Sequence, residues 1–456
     1  MDEIYKIKRK KTFRSFFFLY FMMFFFAGIM PVNIDNLLIH LPKTTKFGVG
    51  AVIASTLIVG IISILFFGYY ADKIALKYSR KKIFVLTNLI WIVSYGLAAL
   101  SLDYYYYLTF LTISAIGSGA FLPVGFSMIG DFYPPNDRGK RFGAMNFALI
   151  LGNGMGLIAG GVLGSYTAGP LGWRLAYILG FILGIFTLFN YIFEGIEPER
   201  GRAEPEFEDL NGEINYNYKI TLNNVIELFR KKSIAAILIY VLCSGLATST
   251  LGVWGIFYIN SKISIGDAEL AATTLYLLAG AGALPGTIIG GKLGDIYLSK
   301  GKMKGRAIVS LSGVIFGVFL TLIFYLTPFF TANLLQIIFS WIFFIIIGFL
   351  GYMFSTFSQG NQFAIFSEVC LPEERSTTNA MNGLMVNIGG IIGNLLLSSL
   401  IERDISLLPI AVSLVLFIWL IGTFLWIIVY FYYPKESKNC SDILLERREE
   451  LEQKTN

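Results

Sequence analysis

Histidine occurs once in the 456 residues and cysteine three times, and charged residues make up only 14% of the chain. Each scarcity removes a class of function. Cys243, Cys370 and Cys440 have neither metal-ligand nor disulfide spacing, and the first two fall in or beside apolar runs, so they read as small core residues. With His40 as the sole imidazole and one acid deep in an apolar run, the chain cannot assemble the nucleophile or metal set that a membrane-embedded transferase needs. No G-x-x-x-x-G-K-[ST] sequence is present, so ATP-driven transport would require a separate subunit. An enzyme is not expected, nor a cofactor or metal. The net charge of +6 is not gathered on a soluble basic face, which excludes nucleic acid as a partner.

What the chain has in abundance is apolar length. Hydrophobic residues make up 55% of it, far above what a water-soluble domain carries. They come in blocks long enough for an α-helix to cross a bilayer core of about 30 Å, and not as short alternating strands. Twelve spans follow: about 14–38, 46–71, 82–101, 105–132, 141–165, 172–194, 232–260, 268–297, 305–327, 330–367, 376–400 and 406–433. The basic start before the first span resembles a signal peptide, but the run from Phe16 to Pro31 is too long and lacks a small-x-small cleavage site, so it reads as a retained helix.

Lys and Arg sit in alternate connections. Apart from Lys43, Lys46, Arg174, Lys262 and Arg403 they fall on one side, which the positive-inside rule makes cytoplasmic, together with both termini. The spacing predicts a six-span bundle over 1–194, a polar linker over 195–231 and a second bundle over 232–434. A polar tail over 435–456 follows, and residues 221–231 have the spacing of a short amphipathic surface helix. The cell membrane is the expected location.

The halves repeat. Gly68-x-x-x-Asp72 before a Lys/Arg cluster returns as Gly291-x-x-x-Asp295 before Lys300 to Arg306. Asp131, Pro135 and Arg138 lead into Ala144-Met145-Asn146, as Glu368, Pro372 and Arg375 lead into Ala380-Met381-Asn382. Parallel repeats of six helices imply two bundles about an axis along the membrane normal, with a solute site between them. Gly152, Gly154, Gly156, Gly160 and Gly161 in the fifth span, and Gly280, Gly282, Gly286, Gly290 and Gly291 in the eighth, predict close helix contacts.

These motifs resemble those of the major facilitator superfamily, and the resemblance covers nearly the whole chain. Gly68, Asp72 and Arg80-Lys81-Lys82 are similar to the signature between helices 2 and 3, Gly291 and Asp295 to its counterpart between helices 8 and 9, and Gly172-Trp173-Arg174 to the start of helix 6. The glycines of the fifth span resemble the helix 5 signature, with Leu157 where the family often has Pro. Asn33-Ile34-Asp35, the segment 197–201 with Glu204, and Trp254 resemble the spinster-like branch. The sequence departs from that branch at Asn36, in four extra residues between Asp72 and Arg80, and at Ile113 and Ala120 in place of an Arg and a Glu.

The resemblance implies an all-helical fold and alternating access. It also implies a latch that involves Gly68, Asp72, Arg80, Asp131, Arg138, Gly291, Asp295, Glu368 and Arg375. Arg80 and Arg138 would be the cationic partners of the acids, with Asp131–Arg138 and Glu368–Arg375 as equivalent loop contacts. Helices 1, 4, 7 and 10 line the cavity in this superfamily. Candidate residues there are Asn33, Asp35 and Trp254, with Ser355, Ser358, Gln359, Asn361 and Gln362 as a polar group in the tenth span. An ionisable group in a span is costly, which makes Asp35 a candidate for proton or substrate binding; a solvated helix end is the alternative. Buried amides must be hydrogen-bonded, so the polar group either faces a wet cavity or ties helices together. The expected function is secondary or facilitative transport of a small organic or amphipathic, lipid-like solute. A proton-coupled transporter of a small polar solute and a non-transporting sensor are the alternatives. The expected partners are the lipid bilayer, a small solute and protons, and a monomer is expected.

Overall fold

The computed structural model describes residues 3–77, 79–133, 135–166, 171–198, 228–263 and 268–455. Within these, the side chains of 68–77, 130, 135–140, 142–143, 165–166, 372–373, 375–376, 444–445 and 447–455 lie outside the described set. All regular structure among the described residues is helical, and twelve helices are long and apolar enough to cross a membrane. They are numbered here α1 to α12. The first six are α1 (Glu3–Val32), α2 (Lys46–Lys77), α3 (Arg80–Ala98), α4 (from Tyr104), α5 (Pro135–Tyr166) and α6 (Gly172–Glu194). The second six are α7 (Lys232–Asn260), α8 (from Ala268), α9 (Gly305–Leu326), α10 (from Leu334), α11 (Pro372–Arg403) and α12 (from Leu408). Most of the expected linker, residues 199–227, and with it most of the expected surface helix 221–231, lies outside the described residues.

The chain divides into two compact units, Met1–Glu213 and Ile214–Asn456. In the first, α1 packs along α5 and α6, α3 along α4 and α6, and α2 along α4. In the second, every one of those pairings returns six places on: α7 with α11 and α12, α9 with α10 and α12, and α8 with α10. The duplication read from two short motifs is thus a duplication of helix neighbours.

Glycine lets the most intimate pairs form. A methyl group at Gly152 or Gly156 of α5 would overlap the carbonyl oxygen of Phe21 or Phe25 on α1, and one at Gly28 of α1 would overlap Asn153 of α5. Across the equivalent contact, a methyl group at Gly389 or Gly393 of α11 would overlap the Leu242 or Leu246 carbonyl oxygen on α7. Gly282 and Gly286 of α8 stand in the same relation to Phe349 and Met353 of α10. Without lipid-excluded apolar gain to hold helices together, this backbone-to-backbone approach supplies the dispersion contacts that do.

Several spans are interrupted. Helix α1, with Pro31 in its last turn, ends at Val32, and a short helix Ile34–His40 follows from Asn33. Helix α4 runs Tyr104–Gly119, widens to a π-helical stretch at Phe121–Phe126 and ends with Ser127–Phe132. Pro123 in that stretch has no N–H and displaces the i−4 ladder. Helix α8 is split into Ala268–Gly280 and Ala283–Ser299, α10 into Leu334–Ser355 and Phe357–Val369, and α12 into Leu408–Thr423 and Trp426–Thr455. The last piece carries the polar tail onward as helix.

Candidate functional site

Each unit gathers ions at the start of its third helix. The Arg80 side chain, only 5% exposed, donates to Asp131 at the end of α4 at 2.6 Å and to the Pro198 carbonyl at 2.9 Å. Glu197 lies 3.5 Å from the same guanidinium and also accepts the backbone N–H of Arg80 at 2.9 Å. The carboxylate therefore caps the first turn of α3, where unpaired N–H groups and the helix dipole favour a negative charge. Lys81 donates to the Gly195 and Ile192 carbonyls at the end of α6. Residues 195–198, expected as the start of a solvated linker, are half-buried or buried and docked onto α3.

In the second unit the equivalent arginine is Arg306, at the start of α9. Its side chain is 6% exposed and lies 2.9 Å from Asp295 and 3.1 Å from Glu368 at the end of α10. The Tyr433 hydroxyl of α12 donates to the other oxygen of Glu368. Sequence reading passed over Arg306 as a site residue because it stands eleven residues after Asp295, whereas Arg80 stands eight after Asp72. The available signal was the shared position at the first turn of the next apolar run.

The placements refine the expected ion pairs. Asp131 is held by Arg80 and Glu368 by Arg306, so the acid closing the fourth helix of each unit meets the arginine opening the third, across about fifty residues of chain or more. Asp72, Gly68, Arg138 and Arg375 have side chains outside the described residues. Gly291 lies on α8 facing Gly360 of α10, with 4.0 Å from an added methyl position to the Gly360 Cα. Further anchors repeat as well: Arg9 donates to the Phe132 carbonyl at 3.1 Å, and Lys231 donates to the Val369 carbonyl at 3.1 Å and to Glu374 at 2.7 Å.

The polar residues expected to line a cavity separate into two groups. Asn33 is fully buried and donates to the Ile29 carbonyl at 2.9 Å and the Gly160 carbonyl of α5 at 3.3 Å, pinning the break in α1. In α10, Ser358 shares a 2.7 Å hydrogen bond with Tyr240 of α7, Asn361 donates to the Gly290 carbonyl of α8 at 3.1 Å, and Gln362 donates to Asn382 of α11 at 3.2 Å. These are interhelical ties within one unit, as is the Ser355 contact against Gly317 of α9. Trp254 is fully buried and packs edge-on against Phe257, with its indole N–H unpartnered. Two candidates remain accessible: Gln359, which is exposed and accepts from Thr287 at 3.2 Å, and Asp35, half-buried in the short helix after the break.

The Gly172-Trp173-Arg174 element has a plain role. Arg174 donates to the Ala99 and Ser101 carbonyls at 2.6 and 2.9 Å, at the end of α3, while Trp173 is fully buried against Tyr107 and Tyr177.

A sequence profile of the Major Facilitator Superfamily matches residues 13–393. The chain belongs to that superfamily. Among solved structures, a bacterial homologue of the human lysosomal transporter spinster, inward-facing and unoccupied, superposes with a TM-score of 0.72 at 17% identity over 97% of this chain and 99% of that one. The nucleoside transporter NupG gives a TM-score of 0.61 at 13% identity over 94% of this chain and 98% of that one. By sequence, the chain is 25% identical to multidrug resistance protein 3 of Bacillus subtilis (strain 168) over 39% of its own length and 33% of that protein. It is 24% identical to protein spinster of Drosophila melanogaster over 51% of its own length and 36% of that protein. The matches thus span about a third of the curated relatives. These likenesses support the expected fold: an all-helical, multi-pass member of the superfamily with spinster-like relatives.

Proposed function

We propose that this superfamily member moves a small organic or amphipathic solute across the membrane by alternating access, as a secondary or facilitative transporter. The observation that carries the proposal is the repeated set of helix neighbours, each unit keyed by one buried arginine, Arg80 or Arg306, at the start of its third helix. Two like units that each keep their internal packing are what a rigid-body rocking mechanism requires. The names of relatives, which include transporters of niacin and riboflavin and a multidrug resistance protein, favour an organic solute. The spinster likeness leaves a lipid-like solute within that class. We place the end carrying both termini in the cytoplasm, from the charge asymmetry of the connections.

In this reading Asp72, Arg80, Asp131 and Arg138 form the first half of a latch, and Gly291, Asp295, Arg306, Glu368 and Arg375 the second. Asp35, Gln359 and the Asn33 break border the solute path, while Trp254, Ser355, Asn361 and Gln362 hold α7 and α10 in shape. The decisive experiment is a thermal-shift screen of organic solutes on the purified protein, followed by flux in proteoliposomes, since a ligand of the native state raises its apparent stability. Binding without flux would instead favour the sensor reading. Asp72→Asn should slow turnover while leaving solute affinity within a few-fold, and an unchanged rate removes the latch.

Proton coupling is a second reading, favoured by the position of Asp35 at the α1 break. Asp35→Asn should then abolish pH-gradient-driven uptake and spare counterflow exchange. Uptake that persists under the gradient excludes Asp35 as the coupling group.

A further inference from the structure

The short connection between α8 and α9 builds a basic groove that the transport reading does not use. Helix α8 ends in a Schellman turn: Gly301 takes a left-handed φ of 72°, its N–H bonds the Leu298 carbonyl at 2.8 Å, and the Lys302 N–H bonds the Tyr297 carbonyl at 3.0 Å. Gly305 then closes a second turn on the Lys302 carbonyl at 2.9 Å and opens α9. Two backbone turns thus shape this connection. Across from it stands the second piece of α12. Between them lies a groove of about 480 Å³ lined by Tyr297, Lys302, Lys304, Ile308, Tyr430 and Pro434.

Three observations say what fits there. The first is charge: Lys302 and Lys304 line the groove and are exposed, and Lys300 and Lys435, next in sequence to its lining residues Gly301 and Pro434, are exposed as well. The nearby acids are engaged elsewhere, Asp295 with Arg306 and Glu436 with Ser233. The second is order. The Lys304 ammonium is held over the Tyr430 ring, 4.5 Å from its centroid, with the Phe431 ring at 5.8 Å, so the cation is positioned before any ligand arrives. The third is continuity with the apolar exterior. Ile308, Ile427 and Phe431 are exposed apolar side chains on α9 and α12, in helices apolar enough to cross the membrane. A ligand that places an anion among the lysines and hydrocarbon along these side chains satisfies both surfaces at once.

We infer that this groove binds the phosphate headgroup of an anionic membrane phospholipid, with its acyl chains along the exposed faces of α9 and α12. The lipid is a bound partner of the second unit and not the transported solute. The groove belongs to that unit alone, and its occupancy ties the α8–α9 connection to the bilayer surface.

The test uses the purified full-length chain, delipidated and titrated with phosphatidylglycerol or phosphatidylcholine, with bound lipid counted by native mass spectrometry. Phosphatidylglycerol should be retained in preference to phosphatidylcholine. Lys302→Gln with Lys304→Gln should weaken that retention roughly thirtyfold, from the attraction each lysine near a membrane surface contributes. Lys302→Arg with Lys304→Arg keeps the charge and should retain the lipid, which separates a lost site from a misfolded protein. Lys6→Gln with Lys10→Gln removes equal charge from the exposed start of α1 and should leave retention unchanged. Equal retention of the two lipids, or an equal loss in the Lys6 and Lys10 variant, overturns the inference. So does competition by millimolar glycerol 3-phosphate as effective as that by phosphatidylglycerol, which would assign the groove to a soluble phosphate.

Discussion

The two units meet the same structural demands with different side chains. Both must end their third helix on capped carbonyls. In the first unit Arg174, at the start of α6, donates to Ala99 and Ser101; in the second Lys262, just after α7, donates to Tyr325 and Thr327 at the end of α9. Both must hold the start of the third helix. Arg80 does so with Asp131, Glu197 and the Pro198 carbonyl, whereas Arg306 does so with Asp295, Glu368 and, through Glu368, Tyr433. Helix neighbours have been kept across the duplication and polar donors have been reassigned. A backbone contact sealed by glycine has no substitute, while a carbonyl can be capped by any cation that reaches it.

The largest test of this contrast is at the glycine contacts. Gly156→Val on α5 and Gly393→Val on α11 should each separate their helix pair and cost about 3 kcal/mol or more, read as lost monodisperse protein in detergent. Gly383→Ala, on α11 but with open space around it, should be neutral or stabilising by under about 1 kcal/mol. Similar losses at all three positions would mean that glycine acts there by flexibility and not by contact.

The arginines should differ next. Arg80→Ala removes the guanidinium shared by Asp131 and Glu197 and should cost about 3 kcal/mol, at the low end for a broken buried pair because both acids keep some water and Glu197 keeps the backbone N–H groups of α3. Arg306→Ala should cost about 1–2 kcal/mol, since Glu368 keeps Tyr433 and Asp295 is 67% exposed. Chemical unfolding of the two variants in one detergent would sharpen the ranking or invert it.

The carbonyl caps should part by pH. Burial lowers the Lys262 ammonium from its usual range to about 8. Between pH 8 and about 10 the unfolded chain then binds more protons at this lysine than the folded one, so stability should rise with pH across that window. Lys262→Met should flatten the rise, and a profile unchanged by the substitution would assign it to another group. Arg174 stays charged throughout, so Arg174→Met should leave the slope of that profile as it is.

The smallest effect is at a loop. Asp103 caps α4 through the Tyr105 and Tyr106 N–H groups and pairs with Lys43 at 2.8 Å, which holds its carboxyl below the usual range. Its contribution is complete above the unfolded carboxyl pKa and fades as pH falls through the folded one. Asp103→Ala should lower the thermal unfolding midpoint slightly at neutral pH, mostly through the lost cap, and Asp103→Asn, which can still cap, should lower it less.

The twelve spans and the duplication were legible because they rest on apolar length and on motifs a few residues long. The contacts of Asp131 with Arg80 and of Glu368 with Arg306 were not, since a carboxylate at a helix end gives no sign of which distant helix will bring it a cation. The resemblance implies Arg138 and Arg375 as their loop contacts, and those two side chains lie outside the described residues; the fold adds Arg80 and Arg306. The tenth span was legible only in part. Its cluster of polar residues from Ser355 to Gln362 announces a functional or a packing demand, but Ser358, Asn361 and Gln362 proved to be ties to three different helices. Their partners, a tyrosine, a backbone carbonyl and an asparagine, share no pattern that a sequence could display.

The docking of Glu197 and Pro198 onto Arg80 sets where this chain can be divided. Expressed as two separate polypeptides, the first half would have to carry residues 195–198 to complete the cap of its own third helix. A division immediately after Glu194, where the apolar run ends, would hand those residues to the wrong half.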